Sequence, residues 1–130
     1  MIEPTGVETQ EHGPLFFCRR DHSDFDAYQR WTRTTAVYPT DPPTLKYAYL
    51  GLGLTGEAGE VAEHIKKAVR NGWATLDKEA VALELGDVAW YLARLADELG
   101  YNLSDIVAMN KIKLTSRQER GVLKGSGDDR

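Results

Sequence analysis

Between Thr44 and Gly121 the apolar residues return every three or four positions in three long segments. A capping residue opens each segment and a glycine closes it, a pattern that commits the chain to helices. Thr44 precedes the run that ends at Asn71-Gly72, Asp77 the run that ends at Leu99-Gly100, and Ser104 the run that ends near Arg120-Gly121. An earlier helix is expected over residues 24–37. There Ser23 and Asp26 resemble a capping box, and Phe25, Tyr28, Trp31 and Thr32 keep helical spacing. Tyr38-Pro39-Thr40-Asp41-Pro42-Pro43 cannot continue it, because proline lacks the amide donor and restricts the residue before it. No alternating β-branched and aromatic run lies between turn residues. The expected architecture is therefore all-α, a four-to-five-helix antiparallel bundle.

A chain of 130 residues has room for one domain. Residues 1–20 read as an N-terminal arm with one apolar patch at Leu15-Phe16-Phe17, residues 21–120 as the helical domain, and residues 121–130 as a glycine-rich tail. The net charge of −4 argues against a nucleic-acid or polybasic membrane partner. Cys18 is the single cysteine, which excludes a disulfide scaffold and fits a reducing compartment as a small buried hydrophobe. With no long apolar window and no basic leader, the expectation is a soluble cytoplasmic protein.

Gly51-Leu-Gly-Leu-Thr-Gly56 spells the dinucleotide-binding fingerprint, but the strands that must flank it are missing. Its glycines call for another reason, namely close approach of a neighbouring helix or a ligand. The informative feature is a repeat, Glu57-x-x-Glu60 in the second helix and Glu84-x-x-Asp87 in the third. Tyr47, Leu50, Leu54, Val61, Ile65 and Ala68 form the apolar stripe of the second helix. Val81, Leu85, Val88, Leu92, Leu95 and Leu99 form that of the third. At about 100° per residue each acidic pair lies at the same angular offset from its stripe. A short connection makes the two helices antiparallel neighbours, and the two-fold relation of such a pair brings equal offsets to one side. All four carboxylates are then expected to converge, their axial levels agreeing within a turn at about 1.5 Å per residue.

Four gathered like charges raise one another's pKa unless a cation offsets them. Oxygen ligands suit Mg²⁺ or Mn²⁺, whereas zinc prefers His or Cys, and di-iron sites use Glu-x-x-His motifs absent here. His64 projects near the acidic side of the second helix and reads as solvated. The fourth helix has the stripe Leu103, Val107, Asn110 and Leu114, with Lys113 and Arg117 on the adjoining ridge. Asn110, Lys113 and Arg117 beside a metal cage have the chemistry of a polyphosphate clamp. Trp31, Tyr38, Trp73 and Tyr91 are the candidate walls for a base. On the third helix, Leu83, Gly86, Trp90 and Ala93 make a second apolar stripe, through which at least a dimer is expected.

Glu57-x-x-Glu60, Glu84-x-x-Asp87 and Asn110-x-x-Lys113-Leu114-x-x-Arg117 together resemble the MazG-like all-α nucleoside triphosphate pyrophosphohydrolases, over about residues 25–130. The Gly125-Ser-Gly-Asp-Asp-Arg130 tail resembles the short, stand-alone branch of that family. The resemblance implies Mg²⁺-dependent cleavage of a nucleoside triphosphate to the monophosphate and pyrophosphate, by a homodimer or homotetramer. It implies Glu57, Glu60, Glu84 and Asp87 as metal ligands and catalytic residues, and a nucleotide contact at Tyr91. The general base is Glu57 or Glu60. Two other readings are kept open: a phosphoribosyl-ATP pyrophosphohydrolase on the same scaffold, and a non-catalytic helical dimerisation module.

Overall fold

The computed structural model describes residues 24–125, and the arm, Cys18, Ser23 and residues 126–130 lie outside that range. Four helices follow one another: α1 (Phe25–Thr32), α2 (Leu45–Asn71), α3 (Lys78–Glu98) and α4 (Leu103–Glu119). No strand occurs among the described residues. Short 3₁₀ turns, Arg33–Thr35 and Trp73–Thr75, follow α1 and α2. α1 is shorter than its periodicity predicts, because the backbone tightens at Arg33 and turns extended at Ala36.

Side-chain pairs give the direction of each helix. Gln29 meets Ala93 and Arg33 meets Asp97, so α1 runs alongside α3 in the same sense. Tyr47 donates to the Glu98 carbonyl at 3.1 Å while His64 stands near Glu84, so α2 runs against α3. Asp26 meets Ser104 as Gln29 meets Leu103, which sets α4 back along α1. Direction alternates from helix to helix, and the interface of α2 with α3 is the most extensive.

Helix ends follow local chemistry in part. Asp77 caps α3 by accepting from Ala80 N at 3.0 Å, as its position predicts. Gly100 and Gly121 end α3 and α4 with φ of +80° and +70°. In each case the next amide reaches back to a carbonyl five residues earlier, the terminal geometry that glycine permits. Thr44 precedes α2 but its side chain makes no capping bond.

The start of α4 departs from expectation. The helix opens at Leu103, after Asn102, and not behind Ser104. Its first free amides are satisfied from α1: the Gln29 amide oxygen accepts from Leu103 N at 2.9 Å, and Asp26 accepts from Ser104 N at 2.9 Å and Ser104 Oγ at 2.7 Å. Asp26 thus completes a distant helix, while the N-cap of its own helix is Asp24, which accepts from Asp26 N at 2.8 Å.

The core is small. Among the described residues, Leu50, Ala68, Ala93, Ala96 and Leu103 are the buried apolar ones. In α3 the expected stripe divides into two rows. Val81, Val88 and Leu95 are half-buried, whereas Leu85, Leu92 and Leu99, one heptad apart, are exposed. Packing within the described residues leaves one row of α3 uncovered. Arg94 is 4% exposed and anchors the far end of that helix, donating to the Tyr38 hydroxyl at 2.9 Å and to Asp97 at 2.7 Å. Glu98 accepts from Tyr38 and pairs with Lys46 at 2.7 Å, tying the proline link to both long helices.

Candidate metal centre

The antiparallel match of α2 and α3 puts Glu57, Glu84 and Asp87 together: one carboxylate oxygen of each lies within 4.8 Å of the others. The convergence predicted from the repeat therefore holds for three of the four acids. Glu60 stands outside the group and is exposed. Its charge still reaches the cluster. Loss of water first, then the like charges of Asp87, Glu84 and Glu60, hold the Glu57 carboxyl above its ordinary value.

His64 does more than face solvent. Half-buried, its Nε2 lies 3.7 Å from Glu84 Oε1, close enough for an ionic contact when the ring is protonated. Three convergent carboxylates are hard oxygen donors, the chemistry Mg²⁺ and Mn²⁺ take, and they match no thiolate or multi-imidazole set.

The aromatic side chains separate into different roles. Tyr28, on α1, has its phenol pushed up by burial and by the charge of Asp87, so it borders the acidic cluster. Trp31 stacks on Tyr28 with ring centres 5.8 Å apart and is 46% exposed. Tyr28 also lines a cavity of about 420 Å³ with Phe25, Gly86, Ala89, Leu92 and Val107. Tyr38 belongs to the Arg94 network, and Trp73 is exposed in the turn before α3. Tyr91 packs against Tyr49, with ring centres 6.4 Å apart, and its hydroxyl feels Glu57 and Asp87. Tyr28 was missed in the sequence because nothing local distinguishes it from an ordinary core residue on α1.

The expected clamp and the second stripe of α3 are both placed by the packing. The helix that carries Asn110, Lys113 and Arg117, α4, packs on α1 and α3. Arg117 is moreover 4% exposed, turned inward and not displayed on an open ridge. The second stripe of α3 is not a free face either. Ala93 is fully buried, and Trp90 donates from Nε1 to Thr35 Oγ1 at 2.7 Å while its ring meets Tyr38 and Tyr91. Only Leu83 of the larger members stays exposed, at 52%. The segment after α1 folds back over Trp90, which periodicity on α3 alone does not reveal.

A bundle of antiparallel helices with a carboxylate centre between its two longest members is the class that fold and site define. The MazG nucleotide pyrophosphohydrolase domain matches residues 46–122, a span that holds all three clustered carboxylates, and the chain belongs to that family. It is similar to Gene 37 protein of Mycobacterium phage L5, at 42% identity over 111 residues covering 81% of this chain and 97% of that protein. No solved structure matches. The family's chemistry is nucleotide pyrophosphohydrolysis, a hydrolase activity generally dependent on divalent metal, and the acidic cluster is a group of carboxylates close enough together that they could hold such an ion. No described helix is long and apolar enough to cross a membrane.

Proposed function

We propose that the protein is a Mg²⁺-dependent hydrolase of cytoplasmic nucleoside triphosphates, releasing the nucleoside monophosphate and pyrophosphate. The observation that carries this reading is the convergence of Glu57, Glu84 and Asp87 from two helices, where loss of water and then the neighbouring like charges hold the Glu57 carboxyl above its ordinary value. Those three carboxylates would hold Mg²⁺, or Mn²⁺ in its place, which offsets phosphate charge and makes a nearby water more acidic. Glu60 lies beside the trio without belonging to it, so its carboxylate is left to take the proton from attacking water. That water forms a new bond to phosphorus as the α–β anhydride bond breaks, and pyrophosphate departs with the bridging oxygen.

The cavity beside Tyr28 supports a nucleotide as substrate. It adjoins the acidic cluster through Gly86 and Tyr28, its walls are aromatic and aliphatic, and its volume falls in the range of small-molecule sites. Trp31, stacked on Tyr28, extends the same aromatic surface. Asn110 and Lys113 keep the chemistry of a phosphate clamp on α4, with Arg117 buried behind them.

An assembly of two or four copies fits the exposed apolar surface. Leu52, Val69 and Ile112 are 76%, 71% and 70% exposed, in addition to the uncovered Leu85, Leu92 and Leu99 row. The test of the activity is pyrophosphate release from each nucleoside triphosphate and from phosphoribosyl-ATP, with Mg²⁺ and with chelator. Mg²⁺-dependent pyrophosphate from a free triphosphate is expected. Release from phosphoribosyl-ATP alone would favour the other substrate, and no release from any would leave a non-catalytic module.

A further inference from the structure

Gly53 and Tyr91 occupy one layer of the α2–α3 pair. Gly53 lies four residues before Glu57 and Tyr91 four residues after Asp87, so in an antiparallel pair they face each other one turn from the carboxylates, about 6 Å along the axis. The Tyr91 ring rests on the bare backbone of α2 at this point. A Cβ on Gly53 would stand 2.6 Å from Tyr91 Cδ1 and closer still to two other ring atoms, a separation real Cβ atoms do not tolerate. Gly51 and Gly56, the other glycines of the fingerprint-like run, meet nothing within 4 Å. The close approach is thus specific to one glycine. The ring is further confined by Tyr49, one turn before Gly53 on α2, with ring centres 6.4 Å apart, and by Trp90 at 5.0 Å.

We infer that Tyr91, seated on Gly53, is a positioning residue that sets the spacing of α2 and α3 at the carboxylate layer, and through it the affinity of Glu57, Glu84 and Asp87 for a divalent ion. The inference rests on the metal-site reading above. A rigid ring against bare backbone is a hard stop: a methyl added beneath it pushes the helices apart, and a ring taken away lets them shift. Either change moves Glu57 relative to Asp87, one turn along.

The test is Mn²⁺ binding to the full-length protein, read from the free-ion paramagnetic resonance signal without nucleotide. The G53A and Y91A variants should each weaken Mn²⁺ binding about tenfold, the size seen when outer partners of a metal site are lost. The double variant, in which the added methyl finds the space the ring vacated, should bind more tightly than G53A alone. A contact that only stabilises the fold would lower the melting temperature and leave the folded protein's affinity unchanged. Unchanged affinity in both single variants, or losses that simply add in the double variant, overturns the inference. If G53A does not fold, Y91A with helicity intact carries the test: a tenfold loss upholds the inference and wild-type affinity defeats it. Wild-type protein that takes up no Mn²⁺ would instead remove the metal-site reading itself.

Discussion

Asp26 of α1 holds the first turn of α4 through Ser104, accepting from its amide at 2.9 Å and from its hydroxyl at 2.7 Å across seventy-eight positions of sequence. The Ser104 hydroxyl, then its amide, draw the Asp26 carboxyl below its ordinary value of 3.8. A carboxyl depressed on folding contributes stability above its unfolded pKa and loses it as pH falls through the lower folded value. Asp26→Ala should therefore lower the urea midpoint at pH 7, and the gap from wild type should close below about pH 3.8. Urea titrations at pH 7, 5 and 3 check the sign; a gap that widens in acid would contradict it.

Gln29 makes the neighbouring connection and is 3% exposed. It donates to the carbonyl of Tyr101 at 2.9 Å and accepts from Leu103 N at 2.9 Å. Gln29→Ala strands a buried donor and a buried acceptor, and should cost about 2–4 kcal/mol of unfolding free energy. Denaturant unfolding measures this. Gln29→Glu should lie between the two, because it keeps the acceptor for Leu103 N and loses the donor.

The four acidic residues should separate into two kinds. Glu57→Gln, Glu84→Gln and Asp87→Asn should abolish both Mn²⁺ binding and pyrophosphate release while keeping helical circular dichroism. Glu60→Gln should retain Mn²⁺ binding and lose about 10²–10⁴ in turnover, the range for a general base. Equal loss of metal affinity in all four variants would place Glu60 among the ligands after all.

Leu85 and Trp90 should also behave differently. Leu85 is 52% exposed on the uncovered row of α3, so Leu85→Asp should reduce the mass seen by light scattering and leave the fold intact. Trp90 is engaged inside the protomer through Thr35, so Trp90→Glu should first lower the melting temperature. A stable Trp90→Glu monomer would restore the face opposite the core stripe as the contact between copies.

The helices and the acidic convergence are legible in the sequence because both follow from local periodicity. The spacing of Glu57 and Asp87 from their stripes is a matter of 100° steps, and a short turn dictates the antiparallel match. Glu60 stands apart although its spacing from Glu57 equals that of Asp87 from Glu84, so angular offset alone does not decide which acids join the group. The α4 residues are harder. Asp26 and Gln29 reach its first turn from α1, and no local signal foretells a cap supplied from so far away. That docking sets α4 onto α1 and α3, where Arg117 is only 4% exposed. Gly53 is legible as a close approach but not in its partner, since only the paired register identifies Tyr91.

The most direct measurement is an anomalous difference map from crystals grown with Mn²⁺. The account predicts a peak between α2 and α3, bonded to an oxygen from each of Glu57, Glu84 and Asp87 and to none from Glu60. A peak bound elsewhere, or an empty cleft at saturating Mn²⁺, would contradict it.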